Sequence, residues 1–402
     1  MKKLLQVNSV AGIASTGRIL DGISSVVEDY GWDTYAIYGR GCYYDRLNSF
    51  RNTTKAEVLI NVMWQRFFDS DGFVSKLATQ RAIDFIKNVN PDIIHFHNIH
   101  GYYLNNYMFL DFISSLDIPV VWTLHDCWSF TGRCSYFDNC MKWKTHCQKC
   151  PRLHAYPSSY ICDNSYYNFD EKCRLIKKIK KLKLVPVSNW LNNLLKESSL
   201  ADIPSYVIHN GINIDKFKPH YDTEQVKANY GITKDNVVLG VSSVWSKSKG
   251  FLDFIELSKR IDKKYQIVMV GVSFSQKKQL EKYGIIGITK THSIDVLASL
   301  YSLSDVFVNP TYNDNYPTVN LEAISCGTPV ITYATGGSPE SVDENVGDVV
   351  GVGDINAVLK SIKSITNKNR DELRKACRLK AEKYFSDKHA FASYVELYNS
   401  LL

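Results

Sequence analysis

The segment from Val306 to Glu340 constrains the fold more than any other part of the chain. It reads VFVNPTYNDNYPTVNLEAISCGTPVITYATGGSPE. The apolar runs VFV and PVITY predict two strands, and the Asn, Asp and Pro residues after the first run favour a turn. Pro317 suits the first position of a helix, and Gly327 suits its end. The segment is therefore predicted to form strand, loop, helix, strand and glycine turn.

A helix that starts beside a strand-end loop presents N–H groups and the positive end of the helix dipole, which suits a diphosphate. Asp314 lies in the loop, and Glu322 lies in the helix on the same face as Thr318. A carboxylate at this place can accept hydrogen bonds from ribose hydroxyls. These residues suggest a nucleotide-sugar site, and an ordinary strand–helix unit with a solvated glutamate is the alternative.

At 402 residues, the chain is long enough for two domains with full cores. The apolar runs are of strand length, so no membrane span is expected. The N-terminal MKKLLQVNSV resembles the start of a signal peptide, but the run is short and broken at Gln6 and Asn8. It is interpreted as a buried first strand, and the ten cysteines are expected in a reducing cytoplasm.

The formal net charge of +7 favours anionic partners such as sugar nucleotides, lipid pyrophosphates and phospholipid headgroups. Nucleic acid is disfavoured, because the chain has no helix-turn-helix, RNP or zinc-finger spacing. Most basic residues are scattered. The exception is the run KCRLIKKIKKLK at 172–183, whose apolar residues recur at helical spacing. It is interpreted either as an amphipathic helix with a solvated basic face or as a surface attracted to an anionic membrane.

Glycine-rich and basic loops follow the predicted first strand of each half. After the first strand, VAGIASTGRI contains Gly17 and Arg18, with neither a dinucleotide fingerprint nor a P-loop. A tight turn without a ligand is the alternative there. After the strand NVVLGV, the loop contains Lys247 and Lys249, and a lysine before a helix can meet a diphosphate as a point charge. Ordinary surface lysines are the alternative.

Two predicted strands end in histidines. PDIIHFHNIHGYYL contains His95, His97 and His100, and PVVWTLHDCW contains His125 and Asp126. In an open α/β sheet, ligands bind at the carboxyl ends of strands. We therefore expect polar side chains that line a binding site rather than the metal site that the H-x-H-x-x-H spacing also suggests.

A cysteine-rich insert occupies residues 126–170. Cys134, Cys140, Cys147 and Cys150 have the spacing C-x5-C-x6-C-x2-C. A closing C-x-x-C is a common half-site for tetrahedral zinc, and a reducing compartment favours metal over disulfides. Structural zinc and unliganded thiols or labile disulfides are both open interpretations.

These motifs together resemble a known family. D-x7-E followed by A-x-x-C-G-T-P-V is similar to the E-x7-E signature of retaining, nucleotide-sugar-dependent glycosyltransferases of family 4. D-x-x-H-x-H-N-x-H-G, the cysteine-rich insert and H-N-G-I-x4-F extend the resemblance over nearly the whole chain, and it is strongest to the colanic acid and capsular polysaccharide biosynthesis subgroup. Two features depart from the pattern: Asp314 stands where most members have Glu, and the Arg that usually accompanies Lys249 has no clear counterpart.

The resemblance implies the GT-B fold, an α/β architecture of two doubly wound Rossmann-like domains that face each other across a cleft. Residues 1–215 would form the acceptor-side domain, which contains the insert. Residues 216–380 would bind the nucleotide sugar. A C-terminal helix within residues 381–402 would cross back to the first domain.

The implied activity is that of a hexosyltransferase-type enzyme. It would move a sugar from a nucleoside diphosphate donor to a hydroxyl of a glycan or lipid-linked oligosaccharide in surface polysaccharide synthesis, without a catalytic metal. The expected location is cytoplasmic, with peripheral contact to the inner face of an anionic membrane. The alternatives are another GT-B enzyme, such as a sugar-nucleotide epimerase, and a non-catalytic, zinc-stabilised scaffold of a polysaccharide assembly complex.

The resemblance also implies roles for individual residues. Catalytic roles fall to His125, Asp314 and Glu322, and acceptor-side roles fall to His97, His100 and Asp126. The implied donor-binding set consists of Gly17, Arg18, Lys247, Lys249, Asn315, Tyr316, Pro317, Thr318 and Glu322.

Overall fold

The computed structural model describes residues 1–41, 48–70, 74–220 and 222–402. The chain divides into two compact units. Unit 1 comprises Met1–His209 and Phe391–Leu402, and unit 2 comprises Asn210–Ala390.

Unit 1 contains a six-stranded parallel sheet flanked by helices. Its strands are β1 (Lys3–Val10), β2 (Asp33–Arg40), β3 (Ser49–Arg51), β4 (Ile93–Phe96), β5 (Val120–Leu124) and β6 (Leu182–Pro186). Its helices are α1 (Ala14–Asp29), α2 (Lys55–Phe68), α3 (Lys76–Val89), α4 (Asn106–Ser114), α5 (Ser165–Lys178) and α6 (Asn189–Lys196). The strand order is β3-β2-β1-β4-β5-β6.

Unit 2 repeats this architecture. Its strands are β7 (Asn236–Val241), β8 (Tyr265–Val270), β9 (Ile286–Ile288), β10 (Val306–Asn309), β11 (Val330–Tyr333) and β12 (Gly347–Val350). Its helices are α7 (Glu224–Tyr230), α8 (Phe251–Arg260), α9 (Phe274–Glu281), α10 (Ile294–Leu303), α11 (Thr318–Ser325), α12 (Ile355–Thr366) and α13 (Arg370–Tyr384). The order is β12-β11-β10-β7-β8-β9.

Both sheets have the strand order of a doubly wound Rossmann fold, which confirms the predicted fold class. In each sheet the first strand lies in the middle. The later strands are added first on one side of it and then on the other, so the order of addition reverses beside the first strand. The switch points therefore lie between β1 and β4 and between β7 and β10. β1 pairs in parallel with β4 from Leu4↔Ile93 to Val7↔Phe96, and its six central residues are buried. Burial on both faces is typical of parallel strands.

The last helix, α14 (Asp387–Asn399), continues into unit 1. Tyr398 Oη shares a 2.6 Å hydrogen bond with His95 Nδ1, and Tyr394 Oη shares one of 2.8 Å with Thr123 Oγ1. Phe391 packs so closely on α1 that a Cβ at Gly22 would lie 2.4 Å from its ring. The C-terminal residues are therefore part of the packed interior of unit 1.

The basic run at 172–183 is not one amphipathic helix. Helix α5 ends at Lys178, and Leu182 begins β6, so the last apolar residues of the run face the core from a turn and a strand. Lys172 is buried, with its Nζ 3.7 Å from the Trp128 ring centroid. The helical spacing of the apolar residues wrongly predicted a single helix, because the end of a helix and the start of a strand both bury apolar residues.

The central segment of unit 2 follows the sequence prediction with one shift. Helix α11 starts at Thr318, so Pro317 is its N-cap rather than its first residue. Gly327 follows the helix with φ +81°, as a helix terminator requires.

The insert contains little regular structure and is held by a buried ion pair. Arg133 Nε lies 2.7 Å from Asp69 Oδ1, and both side chains are almost fully buried. Arg133 also donates to the carbonyls of Leu153 and Pro157, while Asp69 accepts from the Asn164 N–H at 3.0 Å. Burial raises the pKa of Asp69 to about 6, although Arg133 opposes this shift. The pair therefore joins the end of α2 to several turns of the insert.

Removal of either partner should destabilise unit 1 strongly, because the other charge would stay buried without compensation. We expect Arg133→Met or Asp69→Leu to lower the free energy of unfolding by about 3–5 kcal/mol. The double variant should lose no more than either single variant, because it leaves no buried charge without a partner. Urea unfolding followed by tryptophan fluorescence measures these changes.

Arg152→Met provides the matched control. Arg152 pairs with Asp138 on the surface of the same insert, with both side chains partly exposed. An exposed pair contributes about 1 kcal/mol or less. Equal losses for Arg133→Met and Arg152→Met would contradict the assigned role of the buried pair.

Candidate functional site

Two predicted site residues of unit 2, Lys249 and Asp314, meet at the switch point between β7 and β10. Lys249 lies in the turn after β7, and its Nζ is 2.6 Å from Asp314 Oδ2 in the loop after β10. The same Nζ lies 3.3 Å from the Asn313 carbonyl, and the Tyr312 N–H donates to the Ser248 carbonyl at 2.8 Å. The two loops are therefore joined by backbone and side-chain contacts.

A third loop, after β11, packs on Asp314. The Gly337 N–H donates to the Asp314 carbonyl at 3.2 Å. Gly336 has φ +56°, and a Cβ there would lie 1.8 Å from that carbonyl oxygen. Only glycine fits this contact, which explains the TGG turn of the sequence and fixes the backbone of Asp314.

Helix α11, which follows the loop of Asp314, contains Glu322. Glu322 is buried, and Tyr301 Oη donates to its Oε2 at 3.0 Å. No side chain caps the start of α11, because Pro317 is the N-cap residue. The first turn thus keeps backbone N–H groups and the positive end of the helix dipole, which suit an anion.

The other predicted donor residues of unit 2 differ in their exposure. Asn315, Tyr316 and Pro317 are buried, and Thr318 is half-buried at the helix start. Lys247 is exposed on the same turn as Lys249 and does not join the Lys249–Asp314 pair.

Gly17 and Arg18 lie in the first turns of α1. Gly17 is buried, and a Cβ there would lie 3.2 Å from the backbone of Ala11 and Gly12. Its Cα therefore lets the helix pack closely on the turn after β1. Arg18 is exposed, and its Nε donates to the Ala14 carbonyl at 3.3 Å.

The histidines of unit 1 form a hydrogen-bonded chain at the ends of β4 and β5. His125 Nε2 lies 3.0 Å from His97 Nδ1, and His97 Nε2 lies 2.9 Å from Gln6 Oε1. The Gln6 amide donates to the Leu20 carbonyl at 3.0 Å and to Ser24 Oγ at 2.7 Å, so its oxygen faces His97.

The orientation of the Gln6 amide determines which ring nitrogens of His97 and His125 carry a proton. Gln6 Oε1 can only accept, so His97 Nε2 carries the proton and His97 Nδ1 accepts. His125 Nε2 must then donate, which leaves His125 Nδ1 as the acceptor nitrogen of that ring. Burial lowers the pKa of His125 to about 4, and burial also lowers the pKa of His97 well below its usual value. The structure therefore favours neutral imidazoles in one tautomer.

His100 and Asp126 form a second pair beside this chain. His100 Nε2 lies 2.8 Å from Asp126 Oδ2, and the Trp128 N–H donates to Asp126 Oδ1 at 2.9 Å. Burial acts to raise the pKa of Asp126, but His100 and the Trp128 N–H outweigh it, and the net pKa is lowered. Asp126 thus stays a carboxylate.

His95 does not join a metal site with its neighbours. Its two ring nitrogens bond to Tyr398 Oη and, at 2.7 Å, to Thr123 Oγ1. Among the described residues, no group of three or more His, Cys, Asp or Glu side chains is arranged to hold a metal ion.

One small cavity in the insert is lined by the four cysteines of the predicted zinc site together with Phe137 and Trp143; the four are Cys134, Cys140, Cys147 and Cys150. Cys134 and Cys150 share a hydrogen bond, which raises the pKa of Cys134 and lowers that of Cys150. The Gly132 N–H donates to Cys147 Sγ at 3.2 Å. All nine described cysteines are free thiols. Structural zinc at these thiols stays a prediction.

Two residues of these clusters were not predicted from the sequence. Gln6 interrupts the apolar run of the first strand as a polar residue, and Tyr301 lies in the last turn of α10. A buried amide within an apolar strand is a signal that could have pointed to Gln6, because a buried polar group needs partners. No local pattern marks Tyr301, whose contact with Glu322 spans 21 positions.

The histidine pKa values predict how stability depends on pH. Burial lowers the pKa of His95, His97 and His125 in the folded state, so the unfolded state binds more protons below about pH 6.5. The free energy of unfolding should therefore fall as the pH drops from about 6.5 toward 4. Each histidine contributes up to about 1.4 kcal/mol per pH unit.

Urea unfolding at a series of pH values tests this dependence. His125→Gln should flatten the slope, whereas the control His389→Gln, at an exposed position, should keep the parent slope. A parent slope retained in His125→Gln would show that His125 does not contribute.

Two family models match the chain in succession. Residues 46–216 match the model described as Glycosyltransferase Family 4, and residues 222–384 match Glycosyl transferases group 1. A putative colanic acid biosynthesis glycosyl transferase, WcaC of Escherichia coli, is 28% identical over 320 residues, which are 75% of this chain and 73% of that protein. The capsular polysaccharide biosynthesis glycosyltransferase CapM of Staphylococcus aureus is 26% identical over 52% of this chain and 58% of its own length.

Solved structures share the fold over the full chain. A glycosyltransferase of Rickettsia africae superposes with a TM-score of 0.71 at 17% identity, over 100% of this chain and 98% of that one. Anabaena HepE in complex with UDP superposes with a TM-score of 0.70 at 15% identity, over 100% of both chains. With the two family models, these matches confirm the resemblance seen in the sequence: the chain belongs to the family 4 glycosyltransferases of GT-B fold.

Proposed function

We propose that this protein is a retaining hexosyltransferase of surface polysaccharide synthesis. It moves a sugar from a nucleoside diphosphate donor to a hydroxyl of a glycan or lipid-linked oligosaccharide. The observation that carries the proposal is the Lys249–Asp314 pair at the β7/β10 switch point, beside the uncapped start of α11. The names of WcaC and CapM support a polysaccharide acceptor, and the HepE complexes with UDP and UDP-glucose support a nucleotide-sugar donor.

In this proposal the donor diphosphate binds at the start of α11. Lys249 offsets the negative charge that develops on the leaving diphosphate. In the protein alone, Asp314 holds the Lys249 ammonium at the switch point. Glu322 accepts hydrogen bonds from the ribose hydroxyls, and Tyr301 orients its carboxylate. Asp314 binds hydroxyls of the donor sugar.

The histidine cluster of unit 1 takes the acceptor-side role. His125 Nδ1 is the acceptor nitrogen of a neutral ring, so it can bind a sugar hydroxyl at neutral pH. The Asp126 carboxylate is held by His100 and by the Trp128 N–H. The proposal includes no enzymatic nucleophile. A front-face displacement with retention, which the family resemblance implies, therefore fits better than a mechanism with a covalent intermediate. The nine free thiols described fit a reducing, cytoplasmic location.

Loss of the Glu322 charge should weaken donor binding selectively. A hydrogen bond to a charged group contributes about 1.5–3 kcal/mol, so Glu322→Gln should raise the dissociation constant of the preferred sugar nucleotide at least about ten-fold. Calorimetric titration with UDP- and GDP-sugars measures this change. Glu256→Gln is the matched control and should bind as the parent does, because Glu256 lies on the solvent side of α8 and pairs with Arg260.

The products test the function itself. Parent protein incubated with the donor that it binds should glycosylate a lipid-linked or glycan acceptor, and NMR of the product should show the donor's anomeric configuration. Inversion would contradict the retaining mechanism. Epimerised donor without transfer would support the epimerase, and absence of donor binding, hydrolysis and transfer would support the scaffold.

Gln6 should act as a positioning residue for His125. Gln6→Met removes the acceptor of the His97 proton, so His97 can change tautomer and release His125. A small misplacement of a reacting group can cost up to about 100-fold in rate, so we expect kcat to fall by about 10–100-fold with the donor KM unchanged. Steady-state kinetics and ¹⁵N NMR of the imidazole nitrogens measure the two effects.

Gln6→Glu keeps the acceptor oxygen and should restore part of kcat. Gln266→Met is the matched control, because Gln266 is also buried and donates to the Gly284 carbonyl in unit 2, away from the histidines. Unchanged kcat and tautomers in a folded Gln6→Met variant would refute the positioning role.

A further inference from the structure

Helix α2 has the reverse of the usual amphipathic arrangement. Its fully buried side chains are two amides, Asn61 and Gln65, which are 3% and 1% exposed. Leu59, Ile60, Met63 and Phe67 are between 49% and 61% exposed. At 3.6 residues per turn, these four side chains lie within an arc of about 100° on the face opposite the amides. The apolar side of the helix therefore faces solvent.

The orientation of α2 is fixed by specific contacts. Thr54 and Glu57 form a capping box at its start, and Glu57 pairs with Arg81 of α3. The Gln65 amide donates to Asp69 Oδ1 at 3.0 Å, and Asp69 is held by Arg133. These contacts anchor the polar side of the helix inward, so the exposure of the apolar side does not result from loose packing.

The insert extends the exposed apolar surface. The Tyr160 N–H donates to the Arg66 carbonyl at 2.7 Å, and the Cys162 N–H donates to the Phe67 carbonyl at 3.1 Å. Tyr160 and Ile161 are themselves 58% and 68% exposed. We name this surface the α2 face. It consists of Leu59, Ile60, Met63, Phe67, Tyr160 and Ile161.

The charges of α2 favour an anionic partner. Lys55 and Arg66 are exposed, and no carboxylate pairs with them within the part of the chain that the structure describes. Of the acidic residues of α2 and its cap, Glu57 pairs with Arg81 and Asp69 is buried. Aliphatic and aromatic side chains beside unpaired cations are typical of helices that lie in a membrane interface.

The size of the face favours a lipid surface over a second copy of the chain. Six half-exposed side chains offer on the order of 500 Å², within the range of the largest apolar patch on a typical monomer. A stable protein interface buries about 800 Å² per partner. A bilayer needs no matching shape, and cations add attraction to anionic headgroups.

The basic run that the sequence suggested is a weaker candidate for this role. Lys177, Lys178 and Lys181 are partly exposed, and each has a nearby carboxylate, at 3.9, 3.3 and 3.0 Å. Lys172 of the same run is buried on Trp128. Paired and buried cations attract lipid headgroups less than unpaired ones. Lys180 is exposed and has no carboxylate paired with it in the described part of the chain, but its apolar neighbours Ile179 and Leu182 are buried, so the run offers no exposed apolar surface beside that cation.

We propose that the α2 face docks unit 1 on an anionic lipid bilayer, with Leu59, Met63 and Phe67 inserted among the acyl chains. Among the described residues, no helix has the length and hydropathy of a membrane span, so this docking is peripheral. The docking does not depend on sugar transfer, and it can be tested without a donor.

Sedimentation of the full-length protein with vesicles tests the proposal. The vesicles contain phosphatidylcholine with or without phosphatidylglycerol, at a fixed salt concentration. Parent protein should bind the phosphatidylglycerol vesicles. The triple variant Leu59→Ser, Met63→Ser, Phe67→Ser should bind at least about ten-fold more weakly, because three apolar side chains no longer leave water. The control Leu252→Ser, Leu379→Ser changes exposed apolar residues of unit 2 and should bind as the parent does.

Further measurements separate the alternatives. Phe67→Trp should show a blue shift of fluorescence when vesicles are added, which reports insertion of that position. Circular dichroism of the triple variant should match the parent, because the changed side chains are exposed. If a folded triple variant binds vesicles as the parent does, or if Lys178→Glu, Lys181→Glu abolishes binding while the triple variant retains it, the proposal is overturned. A parent that is dimeric in size-exclusion chromatography, with a monomeric triple variant, would assign the face to a second copy and also overturn it.

Discussion

The position of the first strand in each sheet is the constraint on which the rest of the structure depends. Parallel strands need crossover helices, and a doubly wound order sends these helices to opposite faces of the sheet on either side of the first strand. The loops after β1 and β4 therefore diverge, as do those after β7 and β10. The Lys249–Asp314 pair lies at the second switch point, and the Gln6–His97–His125 chain starts at the first.

In the hydrogen-bonded series of unit 1, each buried polar side chain determines the orientation of the next one. The Gln6 amide is oriented by α1, His97 by Gln6, and His125 by His97. His95, which lies two positions before His97 in the sequence, belongs to a different set and bonds to Thr123 and the C-terminal Tyr398. Two neighbouring histidines on one face of a strand thus have separate partners, because the hydroxyls and amides that reach them come from distant elements.

Unit 1 also shows how the insert and α2 depend on each other. Asp69 ends α2 and binds Arg133 of the insert, while backbone N–H groups of Tyr160 and Cys162 satisfy carbonyls at the helix end. The insert thus supplies hydrogen bonds and an ion pair to the C-terminal end of this helix. The consequence is a helix with its amides inside and its apolar residues outside, an arrangement that local periodicity would place the other way round.

The sequence by itself determined the α/β class, the strand–loop–helix of Val306–Glu340, the placement of Asp314 and Lys249 in loops after strands, and that of Glu322 in the helix that follows. These features depend on local propensities, turn chemistry and motif spacing, which act over a few residues. Only the tertiary structure decided that Lys249 pairs with Asp314 across 65 positions, that Gln6 orients His97 across 91, and that 172–183 splits between a helix and a strand. Such contacts join residues that the sequence separates, and their free energy comes from burial and from hydrogen bonds that exist only after the elements pack.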